Sequence, residues 1–440
     1  MQNNQRRRIP VIVPILLCVI LAAGSWFWYD THTDRSGWKQ AENGTLYLDF
    51  YGDPVSGWQE IDGQLYYFGD DNLMTTHWLE LEGKQYYFGD DGALATGWQE
   101  IDGKTYCFSD SGNIRTGWVE RNGRRCYLGA DGTPRTGWLE DGYATCYLDE
   151  EGFPLVGDAV LDGKTYRFQE NGHMYTGWLD EGGQFRYYHT DGSMATGFTT
   201  LDEGVCYFSQ DGIQQFGWIQ EGEYSYYFLP DGTMATGPRV IDGKKHYFGP
   251  QGEHIVLVNP WNPLPEYAQV TLADIGNQHS VDQSCAAALN RMLDACREAG
   301  YFPYVCSSYR TQEYQQKLFD KKIATLRKKE KLSRKEATAK AKTSVAVPGT
   351  SEHQLGLAVD IVADGYVVLD YTQAKTDTQK WLMEHCWEYG FILRYPEGST
   401  AITGIIFEPW HYRYVGEKIS MEMKELGITL EEYLGAAPTE

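Results

Sequence analysis

The feature that most constrains this chain is a period of 20 residues. Trp38, Trp58, Trp78, Trp98, Trp118 and Trp138 keep that spacing, and the phase continues through Trp178, Phe198 and Trp218. It slips at Asp158 and at Pro238. A second aromatic follows nine residues later, at Tyr47, Tyr67, Tyr87, Tyr127, Tyr147, Tyr187, Tyr207, Tyr227 and Tyr247. Asp-Gly lies between the two at 62–63, 102–103 and 162–163, and closes the unit at 91–92, 131–132 and 191–192. Two short strands around Asp-Gly make a hairpin. A single hairpin cannot bury an aromatic face, but stacked hairpins bury one another's. The spacing therefore predicts an all-β hairpin solenoid of about eleven units over residues 31–254. Each Trp and Tyr reads either as packing between hairpins or as the wall of a ligand groove between units.

Charge divides the chain in the same place. Residues 1–254 carry 18 Lys and Arg against 37 Asp and Glu, while residues 255–440 carry 20 against 24. An acidic first half excludes nucleic acid as its partner. Ahead of the repeats, Arg6, Arg7 and Arg8 precede an apolar stretch from Ile9 to about Tyr29. Such a run is long enough to span a bilayer, and the basic flank keeps its N-terminal side in the cytoplasm. Residues 1–30 thus read as a transmembrane helix, with the rest of the chain extracellular. A cleaved signal, with Ala22 and Gly24 as small residues near the cut, would release the protein instead. Nine cysteines occur with no C-x-x-C pair, so a thiolate zinc knuckle is not expected.

At "LVNPWNPLPEY", 257–267, the rhythm stops and prolines cluster. Helical patterns follow over 281–299, from Thr311 to about Lys342, and over 376–389. Short β-like segments, "YVCSSYR", "GLAVDIV", "GFILRYP" and "GIIFEPWHYRYV", lie between and after them. Residues 255–440 form an α+β domain long enough for its own core. Its oddest feature is Asp360, a carboxylate inside the apolar run Leu357–Val362. Burial there is costly unless a partner compensates it.

His353, Asp360 and His411 are two imidazoles and one carboxylate, the ligand set of a catalytic zinc with one open position. Such a metal activates water near neutral pH. Glu408, three residues before His411, is placed to take that water's proton, and Arg310 to stabilise a developing oxyanion. Each also has an ordinary structural reading, and spacing alone leaves both open. "HCWE", His385 to Glu388, imitates a metal pair but lacks a third ligand.

The repeats, over 36–254, resemble the choline-binding or cell-wall-binding repeats of Gram-positive surface proteins. In the choline-binding version a further Trp precedes the paired tyrosines and completes a three-aromatic cage. Leu65, Gln85, Thr105, Arg125, Thr145 and Thr165 hold that place here. The implied partner is a cell-wall polysaccharide or a choline-bearing polymer, and the polysaccharide fits better.

The ordered motifs "SSYRT", "GTSEHQLGLAVDI", "WEYGFILRYP" and "EPWHYRYVG" resemble the VanY-type zinc D-alanyl-D-alanine carboxypeptidases over about 255–420. The resemblance implies zinc on His353, Asp360 and His411. It makes Glu408 the catalytic acid/base and Arg310 the substrate-contacting arginine, and it puts Ser351 and Gln315 near the terminal D-alanine pocket. The implied protein is an enzyme anchored in the cell envelope, removing the last D-alanine from peptidoglycan stem peptides. An L,D-carboxypeptidase, an endopeptidase, or a wall-binding adhesin with an idle peptidase domain are the alternatives. The Lys/Arg-rich segment 320–343 departs from the simple pattern and reads as a solvated helix face or a guide for anionic polymers.

Overall fold

A computed structural model describes residues 35–436. The anchor or signal reading of residues 1–30 lies outside them. Among the described residues no helix is long and apolar enough to cross a membrane. The chain divides into two compact units, one reaching Val156 together with Phe168–His173, the other Gly157–Arg167 with Met174–Glu440.

The repeat forms eleven consecutive antiparallel hairpins, from Gly37–Ala41 with Gly44–Leu48 to Gly237–Ile241 with Lys244–Phe248. The period sets the register: Trp38 stands opposite Tyr47, Trp58 opposite Tyr67 and Trp78 opposite Tyr87. At the turns Asp62 and Gly63 both have positive φ, 52° and 79°, as a type I′ turn requires. Successive hairpins are tied by backbone. The amides of Met74, Leu94 and Ile114 donate to the carbonyls of Thr45, Leu65 and Gln85, in the hairpin before.

The deepest ring is not one the period draws attention to. Strand alternation sends Tyr87 to one face and Phe88 to the other. Phe68, Phe88, Phe208, Phe228 and Phe248 are fully buried, whereas Trp78 stays 40% exposed. Trp78 lies edge-on to Tyr106 at 5.0 Å and tilts over Phe108 at 6.0 Å. The tryptophans thus cover the buried row while leaving half-open aromatic faces. Cys107, Cys126, Cys146 and Cys206 are buried packing residues, and all eight described cysteines are free thiols.

In the C-terminal domain, α1 (Gln283–Glu298) starts on the Asp282 cap, and β1 (Pro303–Ser307) follows. The helix expected from Thr311 to Lys342 is two, α2 (Gln312–Glu330) and α3 (Arg334–Ala341). Lys331 turns left-handed at φ 55°, and Ser333 with Glu336 makes a capping box that starts the second helix. Then come β2 (Ala358–Ala363), α4 (Asp377–His385), β3 (Phe391–Leu393), β4 (His411–Tyr414) and α5 (Glu417–Leu426). The strands form one antiparallel sheet in the order β1-β2-β4-β3. α1 covers it, packing Leu289, Met292 and Cys296 with Val359, Ile361 and Tyr412.

The last hairpins share a core with this domain. Tyr247, Ile255 and Leu257 pack with Ile392, Ile419 and Met423. Glu253, wholly buried, pairs with Lys418, and the Tyr414 hydroxyl donates to Glu223 at 3.1 Å. Tyr224 lies so close to Gly416, at φ 91°, that a Cβ there would overlap its hydroxyl. Gly416→Ala should therefore lose about 1–3 kcal/mol to overpacking in addition to backbone strain. Gly398→Ala, at φ 84° but with open space around it, should lose only about 1–2 kcal/mol of strain. Denaturant melts of the two variants check this, and equal losses would remove Tyr224 from the account.

Candidate metal centre

The sheet brings Asp360 and His411 together. They are direct partners across β2 and β4, and a bulge between Val305 and Ser307 sets Ser307 opposite Asp360 on the other side. His353 arrives from a 3-10 turn, Glu352–Leu355, that ends on left-handed Gly356 and leads into β2. All three side chains are buried, and one ligand atom from each lies within 4.8 Å of the others. They form the metal-type cluster among the described residues. His385 pairs with Glu388 at 2.9 Å on a part-exposed surface and stacks on Trp381.

The donor set fits a metal ion. His353 Nδ1 lies 2.8 Å from the Ser308 carbonyl oxygen and donates to it, which directs the Nε2 lone pair into the cavity. Among the described residues that Nε2 has no hydrogen-bond partner, and it stands 3.3 Å from Asp360 Oδ2. His411 Nδ1 is 3.1 Å from Asp360 Oδ1 and 3.9 Å from Glu408 Oε2, while its Nε2 faces Glu352 Oε2 at 3.6 Å.

Electrostatics point the same way. Burial, reinforced by the Arg310 charge, lowers the His353 pKa to about 4 and keeps that imidazole neutral. Burial would raise Asp360, but His353 and Arg310 outweigh it and hold its carboxyl well below the usual range. Burial also opposes charge on His411, yet the hydrogen bond with Asp360 and the nearby Glu352 carboxylate lift it to about 9. Asp360 and Glu408 flank His411 Nδ1, a set of oxygen and nitrogen donors that suits a divalent ion. Burial pushes Glu408 up to about 8, so near neutral pH its carboxyl can hold a proton and release it.

Arg310 is tied down. Its Nη2 donates to Asp360 Oδ2 at 2.5 Å and its Nε to Ser307 Oγ at 2.9 Å. With Ser351, Glu408 and Trp410 it lines a cavity of about 500 Å3 above the three ligands. Gln315 is fully buried behind that wall, donating to the Ala346 carbonyl at 2.8 Å and accepting from Arg310 at 3.4 Å. Within the Lys/Arg-rich segment, Lys321 and Lys322 of α2 line the same cavity. That part of α2 is a wall of the site as well as a solvated face.

Sequence reasoning missed the layer beneath. Glu352 is fully buried, its Oε1 accepting from Arg394 Nε at 2.8 Å and Arg413 Nη1 at 3.0 Å. Arg394 also makes a two-pronged bond to Glu431, at 2.9 and 2.6 Å. The sequence signal was weak: Glu352 lies in the polar stretch "SEHQ" and Arg413 in "HYRY", so neither interrupts an apolar run as Asp360 does.

Two outcomes are expected. Asp360→Ala should bind no metal on titration with zinc. Glu352→Gln should weaken metal affinity by roughly 10–100-fold, because it disturbs the group that His411 Nε2 faces. Undiminished affinity in the second variant would make Glu352 purely structural.

Residues 278–417 match the VanY family model, described as D-alanyl-D-alanine carboxypeptidase. Residues 55–96 and 216–261 match a choline-binding repeat. A D-alanyl-D-alanine carboxypeptidase of Enterococcus faecalis is 45% identical over 180 residues, covering 41% of this chain and 65% of that protein. The chain thus spans somewhat less than two thirds of that relative's length. A solved structure of a mutant vancomycin resistance D,D-pentapeptidase VanY in complex with Zn(II) is 45% identical, with TM-score 0.38, covering 41% of this chain and 97% of that one. Choline binding protein F from Streptococcus pneumoniae is 27% identical, with TM-score 0.40, covering 54% of this chain and 97% of that one. The chain therefore carries a VanY-type domain behind repeats of the choline-binding type.

Proposed function

We propose that this protein is a wall-associated zinc metallopeptidase that removes the C-terminal D-alanine from peptidoglycan stem peptides. The observation that carries the reading is His353 Nε2, unpartnered among the described residues and facing Asp360 and His411 in a cavity that also holds a buried Glu408 able to exchange a proton. The VanY family match over 278–417 and the 45% identical D-alanyl-D-alanine carboxypeptidase support the substrate class.

His353, Asp360 and His411 would hold the zinc, which when bound polarises the scissile carbonyl and makes water nucleophilic at neutral pH. Glu408 takes the proton of the attacking water and returns it to the leaving amine of D-alanine. The Arg310 guanidinium, fixed by Ser307 and Asp360, offers its remaining N–H groups to the carbonyl oxygen as negative charge develops. Ser351, on the cavity wall, presents a hydroxyl to the departing D-alanine. Gln315 acts behind the wall, holding Arg310 and the Ala346 carbonyl in place.

The repeats would hold this enzyme to the wall through a polysaccharide or a choline-bearing polymer, using the half-open tryptophan faces. The basic flank and apolar run of residues 6–29 favour a single-pass anchor with the catalytic domain outside.

Glu408→Gln should retain zinc and lose activity by at least about 100-fold. Mass spectrometry of defined muropeptides checks both the residue and the reaction. The wild type should shorten pentapeptide stems by one alanine, and a chelator should stop it. Loss of a residue from tetrapeptides alone would instead indicate L,D cleavage. No product from any muropeptide would leave a wall-binding protein with an idle domain.

A further inference from the structure

Four hairpins depart from an aliphatic residue at the end of their first strand, three with an acid (Asp141, Glu181, Glu221) and the fifth hairpin with an arginine. At the end of the first strand most units carry an aliphatic residue: Ile61, Leu81, Ile101, Leu161, Leu201 or Ile241. Ile61, Ile101 and Ile241 are buried there. Arg121 holds that place in the fifth. Across the Asn122-Gly123 turn, Arg124 stands directly opposite Arg121, and Arg125 opposite Glu120. Like charges directly opposed in a strand pair are destabilising. From 115 to 135 the chain has five arginines against two acids, Glu120 and Asp131, in a half that is otherwise strongly acidic.

None of the three tip guanidiniums is ion-paired among the described residues. Arg121 lies over Trp98 at 5.0 Å, Arg124 over Phe153 at 4.2 Å and Arg125 over Trp118 at 4.6 Å. Two consequences follow. The Trp98 and Trp118 faces are covered by the protein's own cations and cannot also receive a quaternary ammonium. The rings fix the guanidiniums while leaving their N–H edges free for oxyanions.

We propose that the tip of the fifth hairpin is an anion-binding site for a wall polymer carrying repeated phosphodiesters, separate from any neutral-sugar or choline contacts of the other units. Guanidinium forks match the paired free oxygens of a phosphodiester. Arg125 stays off the carboxylate of Glu120 opposite it, so the cluster does not serve internal carboxylate pairing. The arginines sit on an open hairpin tip rather than in a pocket, which suits a chain of regularly spaced charges better than one small anion. This inference does not depend on the peptidase reading.

The test compares the full chain with R121I/R124K/R125T, which installs the residues of the fourth hairpin, Ile101, Lys104 and Thr105. The probe is poly(glycerol phosphate), read by titration calorimetry at low salt. Binding to the wild type should weaken as salt rises, and the variant should lose at least about tenfold in affinity while melting no lower. R125T alone, matching the half-buried Thr105, Thr145 and Thr165 at the same place in other hairpins, should move affinity in the same direction. Unchanged affinity in both variants overturns the proposal. So does a wild type that prefers polygalacturonate or a neutral glycan, and so does a lower melting temperature in R121I/R124K/R125T without loss of binding.

Discussion

The C-terminal domain is organised around buried charge that has to be compensated. Glu352 and Asp360 lie eight residues apart, and both are almost without solvent contact. Removing one partner from a buried set of this kind is far more damaging than never having built it, because the remaining charge stays desolvated. Glu352 is compensated from below by Arg394 and Arg413, and Asp360 from above by Arg310 and two histidines. Below, Arg394 and Arg413 are both committed to carboxylates. Above, the His353 Nε2 lone pair faces the cavity with no partner among the described residues.

The two layers also divide the labour of His411. Its Nδ1 faces the cavity with Asp360 and Glu408, and its Nε2 faces Glu352. A ligand imidazole is only as well oriented as the group behind its second nitrogen. Here that group is locked by two arginines, one of which, Arg413, is fixed by the Val256 carbonyl at 2.9 Å. Orientation at the metal position thus traces back to the segment leaving the last hairpin.

Much of this was legible in the chain. The period of 20 dictated hairpin number, register and turn type, because side-chain alternation and Asp-Gly geometry leave few solutions. It misplaced the emphasis on Trp and Tyr, since the residue after each tyrosine, Phe88 for example, is the one the fold buries. Asp360 was legible because a carboxylate in an apolar run needs an explanation. Glu352 and Arg413 went unread because neither interrupts an apolar run, Glu352 lying in "SEHQ" and Arg413 in "HYRY". The break at Lys331 was hidden by continuous helix propensity on both sides. Only the Ser333–Glu336 box marks it, and a capping box inside a basic run is easily taken for more helix.

The last hairpins and the C-terminal domain meet in a way that sequence cannot express. A composition boundary at 254/255 suggests two modules on a joint. Yet Glu253 is buried against Lys418, Tyr224 fits against Gly416, and Asn259 donates to Glu431, the acid that holds Arg394. Each contact sits on a residue that either belongs to the lower charge network or supports α5 beside it. The terminal hairpins therefore support the elements beside the four-stranded sheet. The shared core reaches back at least to the hairpin that contains Tyr224, so a boundary drawn at 254/255 cuts through it.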